Sequence, residues 1–155
     1  MLRTLAEIEK RASECLQAAG FAKSAAVDCR FLEAVGYPGL KIMTEALADP
    51  KREIDLGKDL LGLDLQNCSC VFIADRVNSL IVEHGRMFLR NVRHGLYLLP
   101  GSVRGNYGIG CPVDPAFALG GERGKNPYVE KLEAAARHGV EVDESVWQAL
   151  KVDGV

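Results

Sequence analysis

The sequence has no long hydrophobic run and no strong charge bias. Its uninterrupted apolar runs fall far short of the roughly 20 residues that a membrane-spanning helix needs, so we expect no such helix. The net charge of −2 gives no overall attraction for nucleic acid or for an anionic membrane surface. We therefore predict neither nucleic acid nor a membrane as a partner.

The sequence also lacks a cysteine framework. Its five cysteines are odd in number and irregular in spacing, unlike the paired cysteines of small secreted proteins. The early charged residues Arg3, Glu7 and Glu9 argue against a signal peptide, so we predict a cytoplasmic protein with reduced thiols. Four of the thiols are expected to be small buried side chains: Cys15, Cys29, Cys68 and Cys70.

The first fifty residues predict three helices at the start of a single domain that spans residues 1–155. A capping box at Thr4–Glu7 begins the first helix, at about residues 5–19. Ser24 is the expected N-cap of the second helix, and Pro38 suits the first position of the third. This part of the chain is therefore predicted to be helical.

The stretch Ser69–Leu99 is dense in Val, Ile, Leu, Phe and Tyr, and we interpret it as the β core. Its short apolar runs are separated by Asp75–Ser79, His84–Gly85 and His94–Gly95, which suggests strands joined by tight turns. The motif V-x-H-G-x-x-x-L also occurs twice, ten residues apart, at the spacing of successive strands. We predict a four-stranded antiparallel meander within a β region at residues 68–110.

The remaining segments carry weaker signals. The charged, leucine-containing stretch Lys51–Asn67 suits a short helix or an irregular link equally. Glycines are frequent from Gly101 to Gly124 and predict a loop-rich segment, after which residues 126–151 predict two further helices. The second of these is capped by Asp143. Helices first, strands in the middle and helices last indicate the α+β class.

A metal site has little support in the residue spacing. Cys68, Cys70 and Cys111 with a histidine offer soft ligands, but their spacing does not fit the common zinc frameworks. His84 and His94, at successive turns of the predicted meander, would lie ~20 Å apart at about 3.3 Å per residue. We predict no metal and no cofactor.

The charges are distributed unevenly along the chain. Residues 76–125 carry seven basic and three acidic side chains, a net charge of +4. Arginine suits bidentate pairing with carboxylate or phosphate, so we predict a small anionic ligand near the glycine-rich loop, with Arg104, Arg123 and Asn106 as contacts. The alternative is that these arginines form a solvated face of the sheet and pair with acidic helices.

Two further functions stay open. An enzyme would use Cys111 as a nucleophile and Arg104 as an anion contact in the loop Gly101–Cys111, because loops commonly hold reactive groups. A homo-oligomer would cover the edge strands of an open sheet. The preferred prediction is a non-catalytic protein for small-anion binding or assembly.

Several motifs together resemble a known family. The chain contains, in order, L-x-E-I-E-x-x-A, A-A-G-F, G-Y-P-G-L, V-R-H-G-L-Y-L-L-P and V-D-E-S-V-W-Q-A-L. This order resembles an uncharacterised bacterial family, domain of unknown function 3726, over most of the chain. The resemblance implies no activity and no binding residue.

A second resemblance is confined to the N-terminal helices. A-A-G-F at residues 18–21, followed by an amphipathic helix, is similar to the malate/L-lactate dehydrogenase family, which binds nicotinamide cofactors without a Rossmann fold. That family continues with an aspartate-serine-histidine-glycine motif. This chain has Val35–Gly39 there, so the histidine of that motif has no counterpart.

Overall fold

The structure is a computed structural model, and it describes residues 1–21, 24–50, 53–59, 62–84, 88–105 and 128–150. The described residues form mostly helices with a few short strands, which confirms the predicted α+β class. The chain divides into two compact units, Met1–Ala48 with Pro127–Val155, and Asp49–Asn126. A single domain over residues 1–155 stays a prediction.

The described elements, in chain order, are β1 (Leu2–Arg3), α1 (Leu5–Ala18), α2 (Ser24–Ala34), α3 (Gly39–Leu47), β2 (Lys58–Asp59), β3 (Gly62–Asp64), α4 (Cys70–His84), β4 (Leu89–Arg90), a 3₁₀ helix (Gly95–Leu98), α5 (Leu99–Gly105), α6 (Val129–His138), β5 (Val140–Glu141) and α7 (Glu144–Ala149).

The capping box at the start of α1 is confirmed. The Thr4 hydroxyl accepts a hydrogen bond from the Glu7 backbone N–H at 3.1 Å, and the Thr4 backbone N–H donates to the Glu7 carboxylate at 3.1 Å. These bonds satisfy two N–H groups that lack helical partners. The first helix therefore begins where the sequence predicts it.

Helices α2 and α3 lie close to their predicted positions, but Ser24 is the first helical residue of α2 and not its N-cap. Pro38 precedes the first helical residue of α3 and so acts as its N-cap. Val27 does not join the buried face of α2 although it is apolar: it is 48% exposed, and α2 buries small residues such as Ala26 and Cys29 instead. The small size of Gly39 permits this close packing, since a Cβ there would lie 2.9 Å from the Cys29 carbonyl oxygen.

The C-terminal elements pack within the same unit as the first three helices. Strand β5 pairs antiparallel with β1, with Leu2 opposite Glu141. The predicted cap of α7 is confirmed, because the Asp143 carboxylate accepts from the Ser145 backbone N–H at 2.8 Å. Trp147 is buried, and the guanidinium of Arg3 lies 4.4 Å from its ring centroid.

The predicted antiparallel meander is wrong, because most of its first half is the helix α4. The buried residues of α4 follow helical spacing and not strand alternation: Cys70, Val71, Ile73, Ala74, Val77, Asn78 and Ile81. Asp75 and Ser79, which we interpreted as a turn, lie on the exposed side of this helix. The β-branched residues favoured a strand locally, and burial of one helical face outweighed that preference.

The predicted tight turn at His94–Gly95 is partly right. His94 has a left-handed backbone, with φ of 58°, as expected for one of the few side chains that tolerate that region. It begins the 3₁₀ helix and not a second strand, and α5 follows directly. His84, where the sequence predicted another tight turn, is the last residue of α4.

The sheet of the second unit lies partly in the segment that the sequence left undecided. Strands β2 and β3 pair antiparallel, with Asp59 opposite Gly62. Strand β4 pairs parallel with β3, with Leu63 opposite Leu89, so α4 is the crossover between two parallel strands. A Cβ at Gly62, whose φ is 102°, would collide with the Phe88 carbonyl oxygen, which explains the glycine at this pairing.

Three further expectations concern burial and location. Cys15, Cys29, Cys68 and Cys70 are buried, as predicted. No helix in the described part of the chain combines the length and the hydropathy needed to cross a membrane. The glycine-rich segment from residue 106 and the predicted helix start at Asn126 lie outside the described residues.

Candidate functional site

A cleft of about 540 Å³ lies where α4 packs beside α5 in the second unit. Its volume falls within the ~300–1,000 Å³ that is typical of small-molecule sites. Helix α4 contributes polar and charged side chains, and α5 contributes two glycines and an arginine. It is the main candidate for a binding site among the described residues.

The helical repeat of α4 brings its contribution to one face. Asp75, Ser79 and Glu83 follow one another at intervals of four residues, and side chains at that spacing lie one above the other on a helix. All three are exposed and line the cleft. Val82, beside them, is 68% exposed and adds an apolar contact surface.

The close approach of α5 to α4 depends on Gly101. A Cβ at this position would collide with the side-chain amide of Asn78. Asn78 itself is 9% exposed and lines the cleft between Asp75 and Glu83. Gly101 therefore lets the backbone of α5 form one wall of the cleft directly against the Asn78 amide.

Arg104 lies in the last turn of α5, exposed and on the wall of the cleft. A cation is favoured there because the carbonyl end of a helix carries partial negative charge. Asp75 and Glu83 bring two negative charges to the same cleft. Arg104 is the only cation among the described lining residues.

A second, smaller depression of about 400 Å³ shares Asp75 and Ser79 with the cleft. Arg76 lines it, and its guanidinium donates a hydrogen bond to the Ile54 backbone carbonyl at 2.8 Å. This bond fixes the segment before β2 against α4. We interpret the depression as the junction between that segment and the helix.

A serine and a histidine are close together at the start of α4. The Ser69 hydroxyl lies 2.7 Å from Nδ1 of His94 and accepts from the Val71 backbone N–H at 3.2 Å. Ser69 is fully buried, so it caps the helix and positions His94, and it is not exposed for attack on a substrate. The pair is structural.

An ion pair strengthens the same region. The guanidinium of Arg93 contacts the Asp49 carboxylate at 2.6 and 3.3 Å, the bidentate geometry in which arginine binds carboxylates best. The Arg93 carbonyl accepts from the Cys70 backbone N–H at 3.0 Å. This arginine, one of the basic residues counted in the sequence, therefore serves the fold.

The first unit contains ionisable groups whose pKa values are shifted by burial. Desolvation raises the pKa of Glu33, although its carboxylate accepts from the Leu40 backbone N–H at 2.9 Å. Burial and the neighbouring Tyr37 raise the pKa of Tyr128 to about 12. Burial also raises the pKa of Cys15, whose thiol donates to the Leu150 carbonyl at 2.9 Å. These shifts do not favour nucleophilic chemistry.

The structure places one of the predicted site residues in a cleft and does not describe the others. Arg104 lines the α4–α5 cleft. Arg123, Asn106 and Cys111 lie outside the described residues, so the rest of the predicted loop site stays a prediction. Within the described ranges, no group of three or more His, Cys, Asp or Glu side chains is arranged to hold a metal ion.

The sequence interpretation missed the acidic side of the cleft. Asp75 and Ser79 were assigned to a turn, and Glu83 to a strand. The signal was present as a four-residue spacing of polar side chains beside apolar ones at helical intervals.

No family model, no curated protein and no solved structure matches this chain. Both family resemblances therefore stay predictions. The function of the cleft has to be argued from its own chemistry.

Proposed function

We propose that this protein is a small-anion-binding protein and that the α4–α5 cleft is its binding site. The observation that carries the proposal is the position of Arg104 on the wall of a cleft of ligand size. Arginine binds carboxylate and phosphate groups through two parallel N–H donors. The exposed Ser79 hydroxyl adds a neutral donor in the same cleft.

The proposed role is binding without catalysis. The described lining of the cleft contains no cysteine, and it contains no histidine that could activate the Ser79 hydroxyl as a nucleophile. The alternative enzyme depends on Cys111. We also propose a cytoplasmic location, supported by the four buried thiols, and membership of the resembled bacterial family.

A thermal-shift titration with inorganic phosphate and acetate tests the site. A ligand that binds only the folded state stabilises it by about 2.7 kcal/mol at one hundred times its Kd. We expect Arg104→Ala to abolish most of the ligand-induced shift in Tm, and Arg104→Lys to restore only part of it because lysine lacks the planar fork.

Arg137→Ala is the matched control, since Arg137 is an exposed arginine on α6 and does not line the cleft. It should leave the ligand-induced shift unchanged. An equal shift in wild type and Arg104→Ala would contradict the proposed site.

A second candidate function, self-association, is favoured by the surface around β4. This strand is at the edge of the described sheet, and Phe88, the residue before it, is 69% exposed. Because Leu89 of β4 is itself buried, the surface offered to a second chain is the exposed Phe88 ring beside the strand.

Light scattering across a concentration series tests self-association. The mass should rise from monomer to dimer with concentration in the wild type, and Phe88→Ala should shift this equilibrium toward monomer. Val27→Ala, a change at an exposed apolar residue of the first unit, should not. A monomer at every concentration would rule this function out.

A further inference from the structure

The charges of the α4–α5 cleft do not suit a simple anion. Asp75 and Glu83 place two carboxylates in the same space as the guanidinium of Arg104. A phosphate or carboxylate bound at Arg104 shares the cleft with both, and the repulsion between like charges raises the free energy of the complex. A ligand that also carries a positive group turns this repulsion into attraction.

The two carboxylates are not neutralised within the described part of the chain. Neither Asp75 nor Glu83 forms an ion pair with a described residue. Arg76, the next residue after Asp75, donates to the Ile54 carbonyl. The negative charge of the cleft is therefore exposed to a ligand.

A metal cation does not fit this pair of carboxylates. Asp75 and Glu83 are separated by two turns of α4, about 12 Å along the axis at about 1.5 Å per residue. Oxygen ligands of one calcium or magnesium ion must all lie within about 2.6 Å of it. An organic ammonium group needs only one of the two carboxylates, so it is the cation that this arrangement favours.

The remaining lining suits a short hydrocarbon linker between the two charged ends. Val82 offers an exposed apolar side chain, and Gly105 on the opposite wall has no side chain that would narrow the cleft. Asn78 and Ser79 lie between the carboxylates along α4. The cleft, of about 540 Å³, is therefore lined by charges of both signs.

We infer that the ligand of the cleft is a small zwitterion of the amino-acid type, with its acid group on Arg104 and its ammonium group on Asp75 or Glu83. This inference rests on the proposed function. It adds that the acidic residues of the cleft contribute to binding, where for a simple anion they would oppose it.

Calorimetric titration of the full chain tests the inference with five probes. Acetate and inorganic phosphate carry only an anion, ethylamine carries only a cation, and glycine and 4-aminobutyrate carry both at different separations. We expect at least one amino acid to bind about twofold to fivefold tighter than acetate and ethylamine, the gain that one partly exposed ion pair provides.

Substitution of the carboxylates gives the sharper result, because the effects on the two ligand classes have opposite signs. The double variant Asp75→Asn with Glu83→Gln should weaken amino-acid binding by about threefold to fivefold and strengthen acetate binding by about twofold. Glu53→Gln, an exposed acidic residue of the same unit that does not line the cleft, is the control and should change neither. All three changed positions are exposed, and an unchanged Tm would show that folding is intact.

The failure of this inference is distinguishable from failure of the proposed function. If the double variant strengthens acetate and amino-acid binding alike, the ligand is a plain anion and only the zwitterion is ruled out. If no probe binds, or if Arg104→Ala leaves every affinity unchanged, both the inference and the proposed function are wrong.

Discussion

Glu33 shows how a single half-buried residue makes stability depend on pH. Burial raises the pKa of its carboxyl group in the folded chain above the ordinary value of a glutamate. The folded state therefore holds this proton more tightly than the unfolded state. The stability that Glu33 contributes is complete below its unfolded pKa and is lost as the pH rises through the higher folded pKa.

We expect Glu33→Gln to remove this dependence while keeping an oxygen that accepts from the Leu40 backbone N–H. The free energy of unfolding of the wild type should fall, relative to that of the variant, as the pH rises from 4.5 toward neutrality. Urea denaturation at a series of pH values measures this difference in the free energy of unfolding. A difference that is constant with pH would contradict the raised pKa.

At the scale of single residues, the sequence predicted what depends on near neighbours. Thr4 and Asp143 were identified as caps because their partners lie two or three positions away. Arg104 was identified by its residue type and local charge. The sequence did not identify the acidic residues that share its cleft, because they share it only when α4 and α5 pack together.

The packing of α4 on α5 depends on one glycine. We expect Gly101→Ala to destabilise the fold by about 1–3 kcal/mol, the usual cost of forcing a methyl group into occupied space, because its Cβ would collide with the Asn78 amide. The same change should weaken binding at the cleft. Chemical denaturation measures the first effect, and the phosphate titration measures the second.

Gly57→Ala is the matched control for this prediction. A Cβ at Gly57 would meet no heavy atom within 4 Å, so the substitution should change the free energy of unfolding by less than about 0.5 kcal/mol. Equal effects of the two substitutions would mean that the close approach of α5 to α4 does not limit stability.

At the scale of elements, helices with local start and stop signals were predicted and the central elements were not. α1 and α7 have caps that can be recognised in the sequence. α4 has β-branched residues within a helical pattern of burial, and both interpretations fit a short window. Strand β4 has only two residues, which are too few to show the alternation of apolar and polar residues by which a strand is recognised in a sequence.

At the scale of the whole molecule, burial protects four thiols from reagents. Cys15, Cys29, Cys68 and Cys70 are buried, and the thiolate that reacts is disfavoured further at Cys15 by its raised pKa. We expect iodoacetamide at neutral pH to label these four at least about tenfold more slowly in the native chain than in urea, because labelling requires opening of the fold.

Labelling also tests the enzyme alternative in the same experiment. Peptide mass spectrometry reports each cysteine separately, and glutathione is the reference thiol. An activated Cys111 would react faster than glutathione, whereas a rate at or below that of glutathione removes the main argument for catalysis. Fast labelling of the four buried thiols would contradict the described core.

The sequence by itself determined the α+β class and the starts of α1 and α7, and it singled out Arg104 as a candidate contact, because caps and charges act over a few residues. Only the tertiary structure decided that residues 70–84 form a helix, that β3 and β4 pair in parallel across it, and that two carboxylates line the same cleft as Arg104. Those features arise from burial and pairing between segments that are distant in the chain. The free energy of such contacts is set by their partners, which a local pattern does not contain.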